Sequence, residues 1–257
     1  VESFMIASRR CLRAMIAHCW GSEPTGVTRM SDNWVYQDEH LLVMNKPAGL
    51  LTTPGRFEKK CLWSWAKAIA PSAQVVHRLD LDTSGLVMFG CSLQGVSGLN
   101  RLFRDRGVDK VYDAVSFGSI GRDRGRIRLP LGPDRLQRPK QKVDWRHGKP
   151  AETEFEVVHS GENQVRLVLK PISGVRHQLR IHLASIGLPI LGCDLYAPRP
   201  VRLASPRLLL HARGLSLPHP VTAVLCPVTA VTAVSTPPES GVSTGVSTAS
   251  ESGVNAF

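Results

Sequence analysis

Apolar positions cluster in short runs that turn residues interrupt. Leu41-Leu42-Val43-Met44 and Leu86-Val87-Met88-Phe89 carry no polar side chain, and runs of this length between polar turns predict short buried strands. Val35-Tyr36 predicts a partner strand across the turn Gln37-Asp38-Glu39-His40. Further strands are predicted over Asp109 to Gly118, Gly148 to Val158 and Val165 to Leu169. Helical spacing appears in three places. Cys61 to Ala70 carries Trp63 and Trp65, which read as packing anchors rather than base-stacking platforms. Ser92 to Arg106 predicts a helix with Leu93, Val96, Leu99, Leu102 and Phe103 toward the core and Arg101, Arg104 and Arg106 outside. Arg176 to Ile186 is stopped by Gly187-Leu188-Pro189. It places Leu179, Leu183 and Ile186 on one stripe, with His177, Arg180 and Ala184 beside it.

Three stretches break the pattern. Residues 1–30 match nothing later in the chain and read as a loosely attached extension, a targeting peptide being a weaker reading. Gly121 to Pro150 is rich in Arg, Gly and Pro and reads as a loop that faces a partner. Beyond Pro220, Val-Thr-Ala-Val and Gly-Val-Ser-Thr recur with almost no charge, so 221–257 is expected to be a disordered tail. One globular domain, residues 31–220, remains between the two ends.

Between the predicted strands at Val75-Val76 and Leu86 to Phe89 lies His77-Arg78-Leu79-Asp80-Leu81-Asp82-Thr83-Ser84-Gly85. From position alone, Asp80 reads more often as a turn-capping carboxylate than as a catalytic one. Charge adds a partner class. Thirty-two Lys and Arg against 21 Asp and Glu leave +11, a balance that favours a polyanion over acidic small molecules. The excess is concentrated, with 14 basic and six acidic residues between Arg101 and Lys149. Six cysteines form no Cys-x-x-Cys pair and have no His at zinc-like spacing, so neither a metal site nor a disulfide scaffold is indicated. No apolar run approaches the roughly 20 residues of a membrane-spanning helix.

The string from His77 to Gly85 resembles the signature of the RluA family of pseudouridine synthases. The resemblance runs from about Trp34 to Pro220 and includes Asn45-Lys46-Pro47-Ala48-Gly49-Leu50-Leu51, Lys110-x-Tyr112-x-Ala114 and His177-Gln178-Leu179-Arg180-Ile181-His182. Ser116 replaces a usual aliphatic residue, Ser173-Gly174-Val175-Arg176 a usual Thr-Gly-Arg order, Leu188 a usual His, and Gly192-Cys193-Asp194 a usual Gly-Asp. The family's closing strand is also missing from the pattern after Pro220.

What the resemblance implies is specific. The fold would be α+β, a mixed, largely antiparallel central sheet with flanking helices and a basic active-site cleft. Asp80 would be the catalytic carboxylate, Tyr112 would pack on the target base, and Arg180 would pair with Asp80. Arg78, Lys46, Lys110, Arg138, Lys140 and His177 are the candidate contacts to RNA, Lys46 reading equally as a solvated cation. No cofactor and no metal is implied. Similarity to a subgroup without an S4 RNA-binding domain implies a cytoplasmic monomer that modifies uridines in both large-subunit ribosomal RNA and a tRNA anticodon stem-loop. Two other readings stay open: a catalytically weak RNA-binding or RNA-folding protein on the same scaffold, and a hydrolase using Asp80 and Asp82 as a carboxylate pair.

Overall fold

The computed structural model describes residues 33–229. A polar turn whose Asp38 carboxylate accepts the His40 and Leu41 amides folds β1 (Trp34–Gln37) back on β2 (Leu41–Lys46). β2 pairs with β4 (Ser84–Gly90), which also carries the short β3 (Gln74–Val75). The two fully apolar runs have one cause. Leu41, Val43, Leu86 and Met88 face a core under one helix, α2 (Leu93–Arg104), while Leu42, Met44, Val87 and Phe89 face a second core under α1 (Leu62–Ile69). A strand covered on both faces has no polar side to alternate with.

The sheet continues through β11 (Leu210–Pro218), β5 (Asp109–Phe117), β10 (Gln164–Pro171) and β9 (Glu152–Ser160) to β6 (Arg124–Arg128) at the edge. Among the described strands every pairing is antiparallel except β4 with β11. That parallel contact is pinned beside the central motif, where Ser84 Oγ lies 2.9 Å from His211 Nδ1. It also requires Gly85, whose φ is +116°. A Cβ there would sit 2.4 Å from the Ala212 carbonyl oxygen. Beyond β10, α3 (Gln178–Ser185) covers a third core with Leu179 and Leu183, and the short α4 (Arg199–Leu203) adds Val201. The architecture is the mixed, largely antiparallel α+β fold that the resemblance implies.

Four expectations are corrected. Leu93 is 91% exposed, because the face of α2 against the sheet is formed by Gly95, Gly98 and Leu99. A Cβ on Gly95 would stand 2.2 Å from the His40 carbonyl oxygen, so glycine lets the helix approach where a larger residue was expected to anchor it. Gly121 to Pro150 is not all loop: it contains β6 and a hairpin of β7 (Leu131–Pro133) with β8 (Gln141–Val143). The arginines of β6 disguise an edge strand because its partner supplies glutamates. After Pro220, β12 (Leu225–Thr229) pairs with Gly214 to Pro218 of β11 and buries Cys226 and Val228. Its alternating small apolar residues suffice for one more edge strand. The missing closing strand and the boundary at 221 are therefore revised to at least Thr229. The expectations for residues 1–30 and for the tail beyond 229 lie outside the described residues.

Candidate active site

The segment that carries Asp80 has no regular structure and is held from below. Lys46, at the end of β2, is 0% exposed, and its Nζ donates to the carbonyls of Pro47, Leu50 and Leu81 at 3.0, 2.7 and 2.8 Å. Burial lowers its pKa to about 8, partly offset by the Asp82 and Asp80 carboxylates. It was a candidate RNA contact. The structure makes it a clasp between the first loop and the central motif, with no surface left to meet a phosphate. Thr52 adds a second clasp, its Oγ1 donating to the Leu79 carbonyl at 3.1 Å. His77 makes a third: its Nε2 accepts the Met88 amide at 2.8 Å, which fixes its proton on Nδ1. Burial, aided by Lys110, drops the His77 pKa to about 3, so the ring stays neutral and remains an acceptor.

Asp80 opens into a cleft of about 770 Å³ that is also lined by Arg78, Lys110, Tyr112, His177 and Arg180. Six of the nine sequence candidates thus converge. Lys46 lies below the cleft, while Arg138 and Lys140 stand outside its lining on the β7–β8 hairpin, Lys140 holding the Gln137 side chain at 3.1 Å. Arg104, Arg106, Lys149 and Arg176 complete a basic rim. Asp82, the second carboxylate of the hydrolase reading, does not line the cleft. Burial and the Asp194 carboxylate raise its pKa.

The two oxygens of Asp80 face different donors. His177 Nε2 is 3.8 Å from Oδ1 and Arg180 Nη1 is 4.0 Å from Oδ2. Both separations exceed a hydrogen bond, so Asp80 is flanked rather than clamped. Arg180 is 3% exposed, and its direct partners come from the turn after α3: Asp194 Oδ1 with Nη2, and Cys193 Sγ at 3.3–3.4 Å from Nη2 and Nε. Its guanidinium also lies 5.3 Å over the Tyr196 ring. Burial opposes the charge, but the Cys193 sulfur and the Asp194 and Asp80 carboxylates outweigh it and hold the pKa above the ordinary value. The anticipated Arg180–Asp80 pair is thus a triangle, with Asp194 as the nearer carboxylate. Sequence reasoning noted Asp194 only as a displaced motif residue and did not single out Tyr196. Their signal was an acidic and an aromatic side chain two apart, beyond the Gly192-Cys193 that follows the run Leu188 to Leu191.

Tyr112 approaches from β5, where its neighbours Val111 and Asp113 point to the other face. Burial and the nearby Asp80 carboxylate raise its pKa, so the phenol remains protonated and offers an aromatic wall. His177 sits at the N-cap of α3 in the left-handed region, φ 57° and ψ 15°. A non-glycine residue there is uncommon and costs backbone energy. In return the ring is turned into the cleft. A carboxylate, an aromatic wall and a rim of cations form a site that can seat one base of a polyanion and react with it without redox chemistry.

A family model described as RNA pseudouridylate synthase matches residues 40–185. The dual-specificity RNA pseudouridine synthase RluA of Escherichia coli K12 is 46% identical over 189 residues, covering 72% of this chain and 86% of the relative. The protein of the same name from Vibrio vulnificus CMCP6 is 42% identical over 200 residues, covering 74% and 80%. Among solved structures, human RNA pseudouridylate synthase domain containing 1 superposes with a TM-score of 0.70 at 25% identity, over 82% of this chain and 86% of that one.

Proposed function

The chain belongs to the RNA pseudouridylate synthase family, and we propose that it isomerises uridines in two structured substrates, a large-subunit ribosomal RNA loop and a tRNA anticodon stem-loop. The observation that carries the reading is the convergence of Asp80, Tyr112 and Arg180 on one basic cleft. Dual specificity is supported by the dual-specificity RNA pseudouridine synthases that share over 40% of their aligned residues with this chain.

The reaction breaks the C1′–N1 bond, turns the base and joins C1′ to C5. The C5 proton is lost and N1 gains one, so the formula is unchanged. Asp80 serves as nucleophile toward the nucleotide or as base toward a sugar proton, and both routes require its carboxylate ionised. Arg180, paired directly with Asp194, faces Asp80 Oδ2 from 4.0 Å and orients the carboxylate without closing on it. The target base leaves its stack to reach the cleft and packs on Tyr112, where water is excluded. Arg78, Lys110, Lys149 and Arg176 neutralise the flanking phosphates. A cleft completed by one chain suits a monomer, and ribosomal and transfer RNA substrates suit the cytoplasm.

The test is to present both purified stem-loops and map pseudouridine at each uridine. Conversion in both is expected. Conversion in one overturns dual specificity. Failure on both beside an active control enzyme overturns the reaction and favours an RNA-binding protein on this scaffold.

A further inference from the structure

Tyr196 stands outside the cleft, yet it touches two things that do not touch each other. Its Oη accepts the backbone amide of Gln141 at 2.9 Å, and it lies 2.6 Å from His177 Nδ1. Gln141 opens β8, next to Lys140 on the basic hairpin. His177 presents its other nitrogen to Asp80 Oδ1 at 3.8 Å. The hydroxyl has a single proton, and with Gln141 donating to the oxygen, His177 Nδ1 is the acceptor placed to receive it.

We propose that Tyr196 is a positioning residue that donates to His177 Nδ1, fixes the imidazole proton on Nε2, and aims that N–H at Asp80 Oδ1, linking the β7–β8 hairpin to the catalytic carboxylate. This rests on the pseudouridine synthase reading of Asp80. The division of labour around the carboxylate then has a cause: a neutral N–H faces Oδ1 and a permanent cation faces Oδ2. A second cation at Oδ1 would quench the nucleophile or base, whereas a neutral donor orients it at lower cost to its reactivity. The left-handed backbone at His177 serves the same geometry, because it turns Nδ1 toward Tyr196 and Nε2 toward Asp80. Burial favours the neutral ring, and Arg180 and Arg176 support it against the opposing pull of Asp80 and Asp194. Those four charged groups, with the Tyr196 phenol, are the groups that set the titration of His177.

The chain of contacts also gives the hairpin a route to the chemistry. The Gln141 amide is a backbone group, so its place depends on the hairpin as a whole rather than on one side chain. When RNA phosphates draw Arg138 and Lys140, the strand that carries Gln141 is held, and with it the phenol that sets the imidazole.

The experiment uses Tyr196→Phe, which keeps the ring against Arg180 and removes only the hydroxyl. Nitrogen NMR of the full-length protein, with His177→Gln to assign the signal, is expected to show His177 protonated on Nε2 in the wild type. In Tyr196→Phe the ring should titrate at higher pH, because a donor to the neutral form has been removed. Under saturating RNA kcat should fall by about 3- to 10-fold, the worth of one neutral hydrogen bond, with KM nearly unchanged. A His177 protonated on Nδ1 in the wild type would overturn the proposal. An unchanged titration in a folded Tyr196→Phe protein would do the same. If the tautomer is as stated but neither protein makes pseudouridine while the control enzyme does, the function assigned to Asp80 fails and the hydrogen-bond chain stands.

Discussion

Arg180 and the arginines of β6 are the same residue type in opposite circumstances. Arg180 is 3% exposed and engages Asp194, Cys193 and, at 4.0 Å, Asp80. Arg124, Arg126 and Arg128 have side chains 58–77% exposed and pair across the strand with Glu152, Glu154 and Glu156. In the first place a charge taken from water must be answered by named partners, and removing either side leaves the other uncompensated. In the second, water and salt screen the pairs, and each is worth a few tenths of a kcal/mol up to about 1. The number of arginines in a region therefore says little about its work. Burial decides it.

The largest blow to the buried side of this comparison is Asp80→Asn. It keeps the shape and removes the charge, so pseudouridine formation should fall roughly 10⁴-fold or more, as when a nucleophile is lost, while RNA binding persists. Rapid isomerisation by that variant would remove Asp80 from the mechanism. Arg180→Ala should come next, with activity near background and a stability loss of about 1.5–3 kcal/mol, the worth of charged hydrogen bonds discounted because Asp194, 42% exposed, turns to water when it loses its closest cation. Urea denaturation checks the second part. A loss no larger than that of a surface arginine would erase the contrast.

How far this contrast was legible before the structure differs from residue to residue. Asp80, Tyr112 and Arg180 were found through motifs that span strands and a helix far apart in sequence, and the fold brings them to one cleft. The buried runs 41–44 and 86–89 were legible because complete burial leaves only apolar residues. Lys46 was misread, since a lysine that ties three carbonyls has the same letters around it as one in solvent. β6 was hidden because its pattern of arginines becomes a strand only when Glu152, Glu154 and Glu156 stand opposite. β12 was hidden for a related reason: repetitive small residues pair as an edge strand once β11 offers a free side at Gly214 to Pro218. The misses at Lys46 and β6 depended on partners remote in sequence, the Leu81 carbonyl and the glutamates of β9. Local pattern carries no record of such partners.

A half-buried base that stays neutral makes a smaller and pH-dependent version of the same effect. His77 accepts the Met88 amide and has a folded pKa of about 3 against an ordinary 6.5. As pH falls below 6.5 the unfolded chain takes up a proton that the folded ring refuses, so unfolding is favoured, with a slope approaching ~1.4 kcal/mol per pH unit until the folded pKa is reached. His77→Gln should cost about 1–3 kcal/mol at pH 7, where the Met88 amide loses its acceptor geometry. The gap to wild type should close as pH falls below 6.5 and reverse in sign before pH 3 is reached. A gap that stays constant over that window would mean that His77 titrates alike in both states.

The smallest effect is expected at the exposed end. Arg126 is already answered by Glu152 at 3.3 Å and Glu154 at 2.6 Å, so Arg126→Ala should change stability by no more than about 1 kcal/mol. It should also leave the dependence of RNA affinity on salt almost untouched, because a cation that releases no counterions on binding adds nothing to that slope. Lys149 and Arg106 rim the cleft, and each replacement by Ala should reduce the slope by about 0.7–0.9, the share of one neutralised phosphate. Measuring RNA affinity for the three variants between 50 and 200 mM salt separates charge that faces the substrate from charge spent inside the sheet edge. If Arg126→Ala flattens the slope as much as Lys149→Ala, RNA breaks the cross-strand pairs on binding. The edge of β6 would then join the cleft as part of one RNA-binding face.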